Sequence, residues 1–452
     1  MSEVIYFIIT IAILVFVHEF GHFAAAKLSK MRVDAFAIGF GYRLFGYNKK
    51  TGFSFGELPK DFEGEGNTDY RLCLLPLGGY VKIAGMVDES LDTKFAVTEP
   101  QPYEFRAKST GKKIFVITAG VLMNLFLALA IFWGNNFITG KQFSLSTTVS
   151  YVEPGSKADS AGFLANDKII EVNGTKIKYW EDLRNAIFVT NMGMDLRFKI
   201  LRNGEETILN VPRSKVPSDE SKGLFLINEG IKPLVQDVLG NSRADSAGLK
   251  ANDILLSING QPIYSTFETI EIISSNKELP LNLSLMRGED TVNITVTPGI
   301  DGKIGIMLGG YVYIGKTERV TYGLFASFSH GVNDVVNMSG LTFLMLKRVI
   351  TGDMEFGKAF GGPIKIAQFA AKSADTGLST FIMFVGVLSL SLALLNILPF
   401  PVLDGGHLVM IIVEAIIKKE IPLKVKIAIQ NTGFFLLLLL MAFILYHDII
   451  GL

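Results

Sequence analysis

The segment His18-Glu19-Phe20-Gly21-His22 lies in the C-terminal half of an apolar run from Val4 to Ala26. The pattern His-Glu-x-x-His places two imidazoles four residues apart, on one face of a helix. His18 and His22 can then bind one Zn²⁺, and Glu19 is a candidate general base beside the metal. A polar cluster that hydrogen-bonds another helix would also fit this pattern. The apolar context favours the metal site, because a charge in a lipid-compatible helix costs about 2.5–3.5 kcal/mol.

Composition limits the class of protein. The chain has 452 residues, of which 49% are hydrophobic, and its mean hydropathy is +0.37. It is too apolar for an ordinary soluble enzyme and too polar for a wholly embedded transporter, so a few spanning helices with a sizeable soluble part fit best. The charges balance at 43 basic and 43 acidic residues, which gives no sign of nucleic-acid binding. The single Cys73 excludes an intrachain disulfide and a Cys-rich zinc site.

Four apolar segments predict a polytopic α-helical membrane protein with four transmembrane helices. Their predicted ranges are 1–28, 113–138, 377–417 and 426–448. Lys418, Lys419, Lys424 and Lys426 lie between the last two helices, and the region 29–112 is also rich in Lys and Arg. Basic loops favour the cytoplasm, so the soluble part between helices 2 and 3 should face the other side, the periplasm in a bacterium.

The region 29–112 does not have a helical pattern. Two apolar, glycine-punctuated stretches, Ala37–Gly41 and Leu74–Lys82, predict a membrane-associated β-hairpin region. An edge strand near the metal could pair with an extended substrate, which makes Gly78, Gly79, Tyr80 and Val81 candidate substrate-binding residues. A plain membrane-surface hairpin without a substrate role fits the edge-strand argument equally well.

The second span carries Gly120 and, four residues later, Asn124. A small residue at this distance from an amide indicates close helix packing and an interhelical hydrogen bond. We therefore expect Asn124 to help hold the active site.

The soluble part, from about residue 144 to 310, contains an internal repeat. The segment Ala158-Asp159-Ser160-Ala161-Gly162 recurs as Ala244-Asp245-Ser246-Ala247-Gly248, and two further matches keep the same offset of 86 residues. The repeated unit resembles PDZ domains of the circularly permuted bacterial type, with tandem α+β domains at 144–227 and 228–310. The resemblance implies a groove for an extended or C-terminal peptide. Spacer domains with occluded grooves remain an alternative. The following region, 320–376, predicts amphipathic helices on the membrane surface or packed on the spans.

The third span ends in Asn396-Ile397-Leu398-Pro399-Phe400-Pro401-Val402-Leu403-Asp404. Pro399 and Pro401 interrupt the helix near the predicted site. A carboxylate deep in an apolar segment needs a partner, and a catalytic zinc held by two histidines needs a third protein ligand. Asp404 is the natural candidate for that ligand.

Together with the histidine motif, this segment resembles the site-2 protease family, and the resemblance extends over essentially the whole chain. Val121 departs from it, since a proline is expected after the glycine of the second-span motif, and this puts the local bend of that helix in doubt. The resemblance implies an intramembrane zinc endopeptidase in the lipid bilayer. Its substrates would be single-span membrane proteins, such as anti-sigma factors already trimmed outside, and remnant signal peptides. Asn396 would hydrogen-bond the substrate backbone or the developing oxyanion, or instead cap the broken helix.

Two other functional classes remain open from the sequence. A catalytically inactive membrane scaffold would bind peptides through its PDZ-like modules, but it has no use for Glu19 beside a metal. A zinc transporter would need polar residues along several spans, whereas here they concentrate at one depth.

Overall fold

The structure is a computed structural model that describes residues 2–59, 64–86, 99–191, 193–217, 225–351 and 361–450. It divides into unit 1, Met1–Gly140 with Thr321–Leu452, and unit 2, Lys141–Val320. The predicted regions 29–112, 144–227 and 320–376 each extend into residues outside the described ranges.

Unit 1 contains the candidate spans. Among the described residues, four helices are long and apolar enough to cross a membrane: α1 (Ser2–Leu28), α2 (Thr110–Ile138), α9 (Leu378–Asn396) and the segment Leu423–Tyr446 of α11 (Leu423–Ile450). Helix α2 runs without a break through Val121, so the absence of a proline there leaves it a continuous helix. The predicted third span is divided: α9 ends at Asn396, and a separate helix, α10 (Asp404–Ile417), begins after the two prolines.

A three-stranded antiparallel sheet follows α1. Its strands are β1 (Val33–Asn48), β2 (Gly52–Phe55) and β3 (Asp69–Ile83), in the order β2-β1-β3, which leaves β3 at an edge. Both predicted stretches lie within longer strands. Ile38 pairs with Gly79 but Phe40 pairs with Leu75, so the residues between them in β3 bulge out of the ladder.

The buried guanidinium of Arg43 on β1 links this strand to β2 and β3. It donates to both carboxylate oxygens of Asp69 at 3.1 Å and to the carbonyls of Ser54 and Gly56. A fully buried charge is tolerated here because partners on β2, on β3 and at the residue after β2 satisfy it. The sheet packs on α1 through an apolar cluster that includes Phe36, Val81 and Ala26.

Helix α7 (Leu324–Thr351) lies lengthwise along two of the candidate spans. Its start receives a hydrogen bond from Trp133 Nε1 to Leu324 O at 3.1 Å. Further along, Val335 and Met338 pack on the cluster of Ala128 and Phe132 from α2 and Leu390 from α9. Of the two positions expected for helices over 320–376, on the membrane surface or packed on the spans, α7 has contacts of the second kind through Val335 and Met338, while Phe325 and Val336 are exposed. Helix α8 (Pro363–Thr376) follows, and the buried Asp448 of α11 accepts hydrogen bonds from the amides of Gly362 and Ile364 at its start.

Unit 2 consists of two modules that repeat one another. The first has the sheet order β7-β6-β8-β9 and the second the order β15-β14-β12-β11-β16. The elements of the first are β5 (Val149–Tyr151), α3 (Lys157–Ser160), β6 (Lys168–Val172), β7 (Thr175–Lys176), α4 (Trp180–Asn185), β8 (Leu196–Arg202), β9 (Glu205–Val211) and β10 (Ile227–Asn228). Those of the second are β11 (Ile231–Val238), α5 (Arg243–Ala247), β12 (Ile254–Ile258), β13 (Gln261–Pro262), α6 (Thr266–Ser275), β14 (Leu281–Arg287), β15 (Asp290–Val296) and β16 (Ile306–Tyr313). The ends of unit 2 pair as β4 (Lys141–Ser144) with β17 (Thr317–Val320).

The repeat extends to individual contacts. Ser156 and Ser242 each cap a short helix by accepting the amide of the residue three positions later. In the first module Arg202 binds the buried Asp167 through two nitrogens, both at 2.7 Å. In the second, Arg287 binds the buried Asp253 in the same way, at 2.7 and 2.8 Å. The repeated sequence therefore folds into the same local structure twice.

Candidate metal centre

Helix α1 carries two of the three candidate ligands. His18 and His22 are one turn apart, and their rings meet edge to face with centroids 4.8 Å apart. Their Nε2 atoms are 3.2 Å from each other. The helical spacing alone brings these two nitrogens to one point, as the sequence predicts.

The third candidate ligand reaches this point through the broken third span. Asp404 is the first residue of α10 and follows Leu403, which is extended. Val402 has a φ of +81°, which is a strained conformation for a β-branched residue and typical of functional sites. A Cβ at Gly405 would collide with the carbonyls of Ile397 and Leu398, so the turn closes tightly only with glycine there. Pro399 and Pro401 end one helix, and the turn presents Asp404 at the start of the next.

The three ligand atoms form a nearly equilateral triangle. Asp404 Oδ2 lies 3.1 Å from His18 Nε2 and 3.4 Å from His22 Nε2. Tetrahedral zinc with ligands at 2.0–2.1 Å requires neighbouring ligand atoms about 3.3 Å apart. Asp404 Oδ2 is buried and, although close to both imidazoles, makes no properly directed hydrogen bond among the described residues. A zinc ion fits this arrangement: three ligand atoms lie at the required separation, and Asp404 Oδ2 has no hydrogen-bond partner among the described residues.

Helix α2 contacts both histidines at their Nδ1 atoms. His22 Nδ1 lies 2.8 Å from Val116 O, and His18 Nδ1 lies 3.2 Å from the amide nitrogen of Asn124. Between these two contacts, a Cβ at Gly120 would lie 2.8 Å from His18 Cε1, so glycine is needed for the helices to approach. The contacts are typical of a metal centre, since ligating histidines are usually oriented through their other ring nitrogen.

The three candidate ligands line a cavity of about 510 Å³ within unit 1. Glu19 lines the same cavity, next to the edge strand: a Cβ at Gly79 would lie 3.3 Å from Glu19 Cγ. Asn396 and the whole stretch of Gly78, Gly79, Tyr80 and Val81 also line it. The structure thus brings the predicted base, metal ligands and substrate-binding residues together around one space.

Other lining residues carry no sequence signal for this role. Phe40 stacks on Tyr80 with ring centroids 6.1 Å apart, and Leu437 and Met441 of α11 also line the cavity. The sequence also does not predict that the carbonyl of Val116 contacts His22, because every residue has a backbone carbonyl. His407 lines the cavity too, and its Nε2 lies 3.3 Å from the side-chain nitrogen of Gln430.

The sequence model of the family described as Peptidase family M50 matches residues 6–440. The regulator of sigma-E protease of Salmonella typhimurium is 29% identical, over 98% of this chain and 97% of its own. The protein of the same name from Escherichia coli is 28% identical with the same coverage. A protein of Pasteurella multocida named as a zinc metalloprotease is 30% identical over 99% of this chain and 98% of its own.

Among solved structures, the PDZ domain of an SdrC-like protein from Listeria monocytogenes matches 17% of this chain and 86% of its own. Its sequence identity is 24% and its TM-score is 0.16.

Proposed function

The chain belongs to peptidase family M50, and we propose that it cleaves peptide bonds within the membrane-spanning segments of single-span membrane proteins. It is a zinc metalloendopeptidase of the site-2 type, which confirms the family resemblance of its motifs. The observation that carries the proposal is the triangle of His18, His22 and Asp404 ligand atoms beside Glu19, on helices apolar enough to span a membrane.

In this proposal His18, His22 and Asp404 hold the zinc ion, which when bound polarises the scissile carbonyl and acidifies water. Glu19 accepts a proton from the attacking water and then donates a proton to the leaving amine. Its place in the cavity supports this role, because it follows His18 on the same helix and faces the same space.

The substrate must be extended to react, since a helix hides its amides in its own hydrogen bonds. We propose that the chain to be cleaved pairs with β3 along Gly78–Val81, as an added strand. The edge position of β3 and its place on the cavity wall support this pairing. Asn396 lines the same cavity, which supports a proposed role in hydrogen-bonding the substrate backbone or the oxyanion that forms during attack.

The names of the relatives support a substrate class. Two of them have the name "regulator of sigma-E protease". We propose that this protein acts on anti-sigma factors trimmed beforehand outside the cytoplasm, and on remnant signal peptides. The proposed location is a bacterial inner membrane. The basic loops of the protein would face the cytoplasm, and the active site would lie toward that side. Unit 2 would face the periplasm.

The two modules of unit 2 are proposed to be tandem PDZ-like domains with different roles. In the second, the edge strand β16 runs beside α6, where Tyr311 Oη lies 3.1 Å from Thr266 Oγ1. On α6, Phe267 and Ile270 are 45% and 58% exposed. The equivalent residues of the first module, 86 positions earlier, are Glu181 and Arg184. Exposed apolar residues beside a strand edge suit an extended apolar peptide, so the second module is the proposed peptide-binding one.

The test is Glu19→Gln, which keeps the size of the side chain and removes the base. We expect it to abolish cleavage of a single-span reporter while zinc content stays at the wild-type level. Glu3→Gln on the exposed start of the same helix is the matched control and should cleave normally. A comparison of membrane proteins between cells with the wild type and with Glu19→Gln would then reveal the natural substrates as accumulated fragments. Cleavage by Glu19→Gln at near the wild-type rate would reject the assignment of the base.

A further inference from the structure

One face of α2 provides three successive groups to the metal centre. Val116, Gly120 and Asn124 are spaced four residues apart and therefore lie on one stripe of the helix. The first gives a carbonyl to His22, the second leaves room for both rings, and the third contacts His18 with its side chain. Asn124 is fully buried, so its polar atoms depend entirely on protein partners.

The contact of His22 with Val116 settles which ring nitrogen carries the proton. A carbonyl oxygen only accepts, so His22 Nδ1 is the protonated nitrogen and donates at 2.8 Å. The other nitrogen, Nε2, then has a free lone pair toward Asp404 and His18. This is the form of histidine that binds a metal.

His18 must meet the same requirement. Its Nε2 is the atom that faces Asp404 and His22, at 3.1 and 3.2 Å. For Nε2 to be a ligand, Nδ1 must carry the proton and needs an acceptor. Yet the atom 3.2 Å from His18 Nδ1 is the amide nitrogen of Asn124, itself a donor. Meanwhile Asn124 Oδ1 is buried and has no hydrogen-bond partner among the described residues.

One rotation gives both His18 Nδ1 and Asn124 Oδ1 a suitable partner, while the amide nitrogen takes the buried position in which Oδ1 had none. The two ends of a carboxamide have nearly the same size and shape, so a turn of 180° exchanges oxygen and nitrogen without repacking. Oδ1 then accepts the proton of His18 Nδ1. The backbone of Asn124 is held in place independently, since its carbonyl accepts a hydrogen bond from the buried Ser389 of α9 at 2.8 Å.

We propose that Asn124 is a positioning residue that accepts a hydrogen bond from His18 Nδ1 and so keeps His18 Nε2 free to bind zinc. This inference rests on the proposed ligands His18, His22 and Asp404. The proposal assigns helix α2 a role in the metal centre. Through Val116 and Asn124, α2 selects the metal-binding tautomer of both histidines. A partner on the far side of a ligand typically changes metal affinity by 10–100-fold.

The test separates an acceptor from a donor or a packing group. Asn124→Asp keeps the shape and supplies only acceptor oxygens when ionised, whereas Asn124→Leu keeps the approximate volume without any polar atom. Asn136→Leu is the matched control. Asn136 is also buried on α2, but its side-chain nitrogen donates to Asp334 at 2.7 Å, away from the metal ligands. The measurement is the zinc affinity of the full-length protein in detergent, by competition with a chromophoric chelator, together with the Tm of each metal-free variant.

We expect Asn124→Leu to bind zinc about 10–100-fold more weakly, Asn124→Asp to bind at least as tightly as the wild type, and Asn136→Leu to lower only the Tm. Weak binding by Asn124→Asp would overturn the proposal, because it would mean that the donor is needed. Wild-type affinity in Asn124→Leu would overturn it as well. If Asn124→Leu fails to fold, Asn124→Asp alone still decides between acceptor and donor. Failure of the proposed ligands would appear differently, as a wild type that does not bind zinc.

Discussion

Replacing Gly120 by alanine would place a methyl group between α2 and the two histidines. Its Cβ would lie 2.8 Å from Cε1 and 2.9 Å from Nε2 of His18, and closer still to Nε2 of His22. Ordinary carbon–nitrogen contacts need about 3.5 Å, so Nε2 of His18 would have to move by roughly half an ångström and Nε2 of His22 by roughly twice as much. Moving the helices apart instead would break their close packing at Gly21, where a Cβ would lie 2.8 Å from the carbonyl carbon of Ala119.

The expected size of the effect follows from overpacking. A methyl group forced into a packed site costs about 1–3 kcal/mol. Because the displaced atoms are the ligand atoms themselves, this strain should appear as weaker zinc binding, by about 5- to 150-fold at 1.4 kcal/mol per factor of ten. The assay is zinc affinity by chelator competition, with cleavage of a single-span reporter measured at saturating zinc.

Gly134→Ala is the matched control for this experiment. Gly134 lies on the same helix, and a Cβ there would meet no atom within 4 Å. Both substitutions bring the same gain in helix propensity, about 1 kcal/mol, so a difference between them reports only the contact with the histidines. Zinc affinity in Gly120→Ala within twofold of Gly134→Ala would refute the argument that Gly120 sets the approach of α2 to the metal ligands.

Two further outcomes are expected. Asp404→Asn should lower zinc occupancy, measured by elemental analysis, at least about tenfold, since a neutral amide is a poorer ligand than a carboxylate; Asp448→Asn, at another buried carboxylate, should leave it unchanged. In unit 2, Arg287→Met should reduce the free energy of unfolding by about 3 kcal/mol, because it strands the buried Asp253. Burial alone would raise the pKa of Asp253, but Arg287 and the amide of Lys250 lower it overall. The stability from this pair is therefore present above about pH 4 and lost in more acidic solution, and an Arg287→Met protein as acid-sensitive as the wild type would contradict that origin.

The sequence predicts the metal centre to the extent that local spacing determines it. His18 and His22 meet because any α-helix brings residues four apart onto one face. Asp404 is recognisable because a carboxylate after two prolines in an apolar segment needs a partner. Asn124 is suggested by its distance from Gly120. No sequence pattern predicts the role of the Val116 carbonyl, because every residue has a backbone carbonyl. The close approach of α1 and α2 gives this carbonyl its role.

Helix α7 shows a second limit of sequence reasoning. Its amphipathic pattern predicts that one face is buried, but not what buries it. A membrane surface and a neighbouring helix select for the same apolar residues. The choice between them depends on long-range contacts, such as that of Asn136 with Asp334 at 2.7 Å, between residues far apart in the chain.

The repeat in unit 2 illustrates how one fold can be kept while its surface diverges. The contacts that build each module, such as the Arg–Asp pairs and the serine caps, recur because both modules need them to fold; the aspartates and serines keep the offset of 86 residues, and the arginines lie 85 residues apart. The exposed positions of α6 do not recur: Phe267 and Ile270 replace Glu181 and Arg184. Glu181 is engaged within its own unit, since it accepts the amide and hydroxyl of Ser144 at 2.9 Å. A module that served only as a spacer would gain nothing from exposed aromatic and aliphatic side chains beside an open strand edge, and would risk aggregation. Phe267→Glu together with Ile270→Arg converts this surface to that of the first module. If the second module binds substrate peptides, the double variant should raise the KM for cleavage while leaving zinc affinity and kcat unchanged; an unaltered KM would mean that unit 2 selects substrates without using this groove.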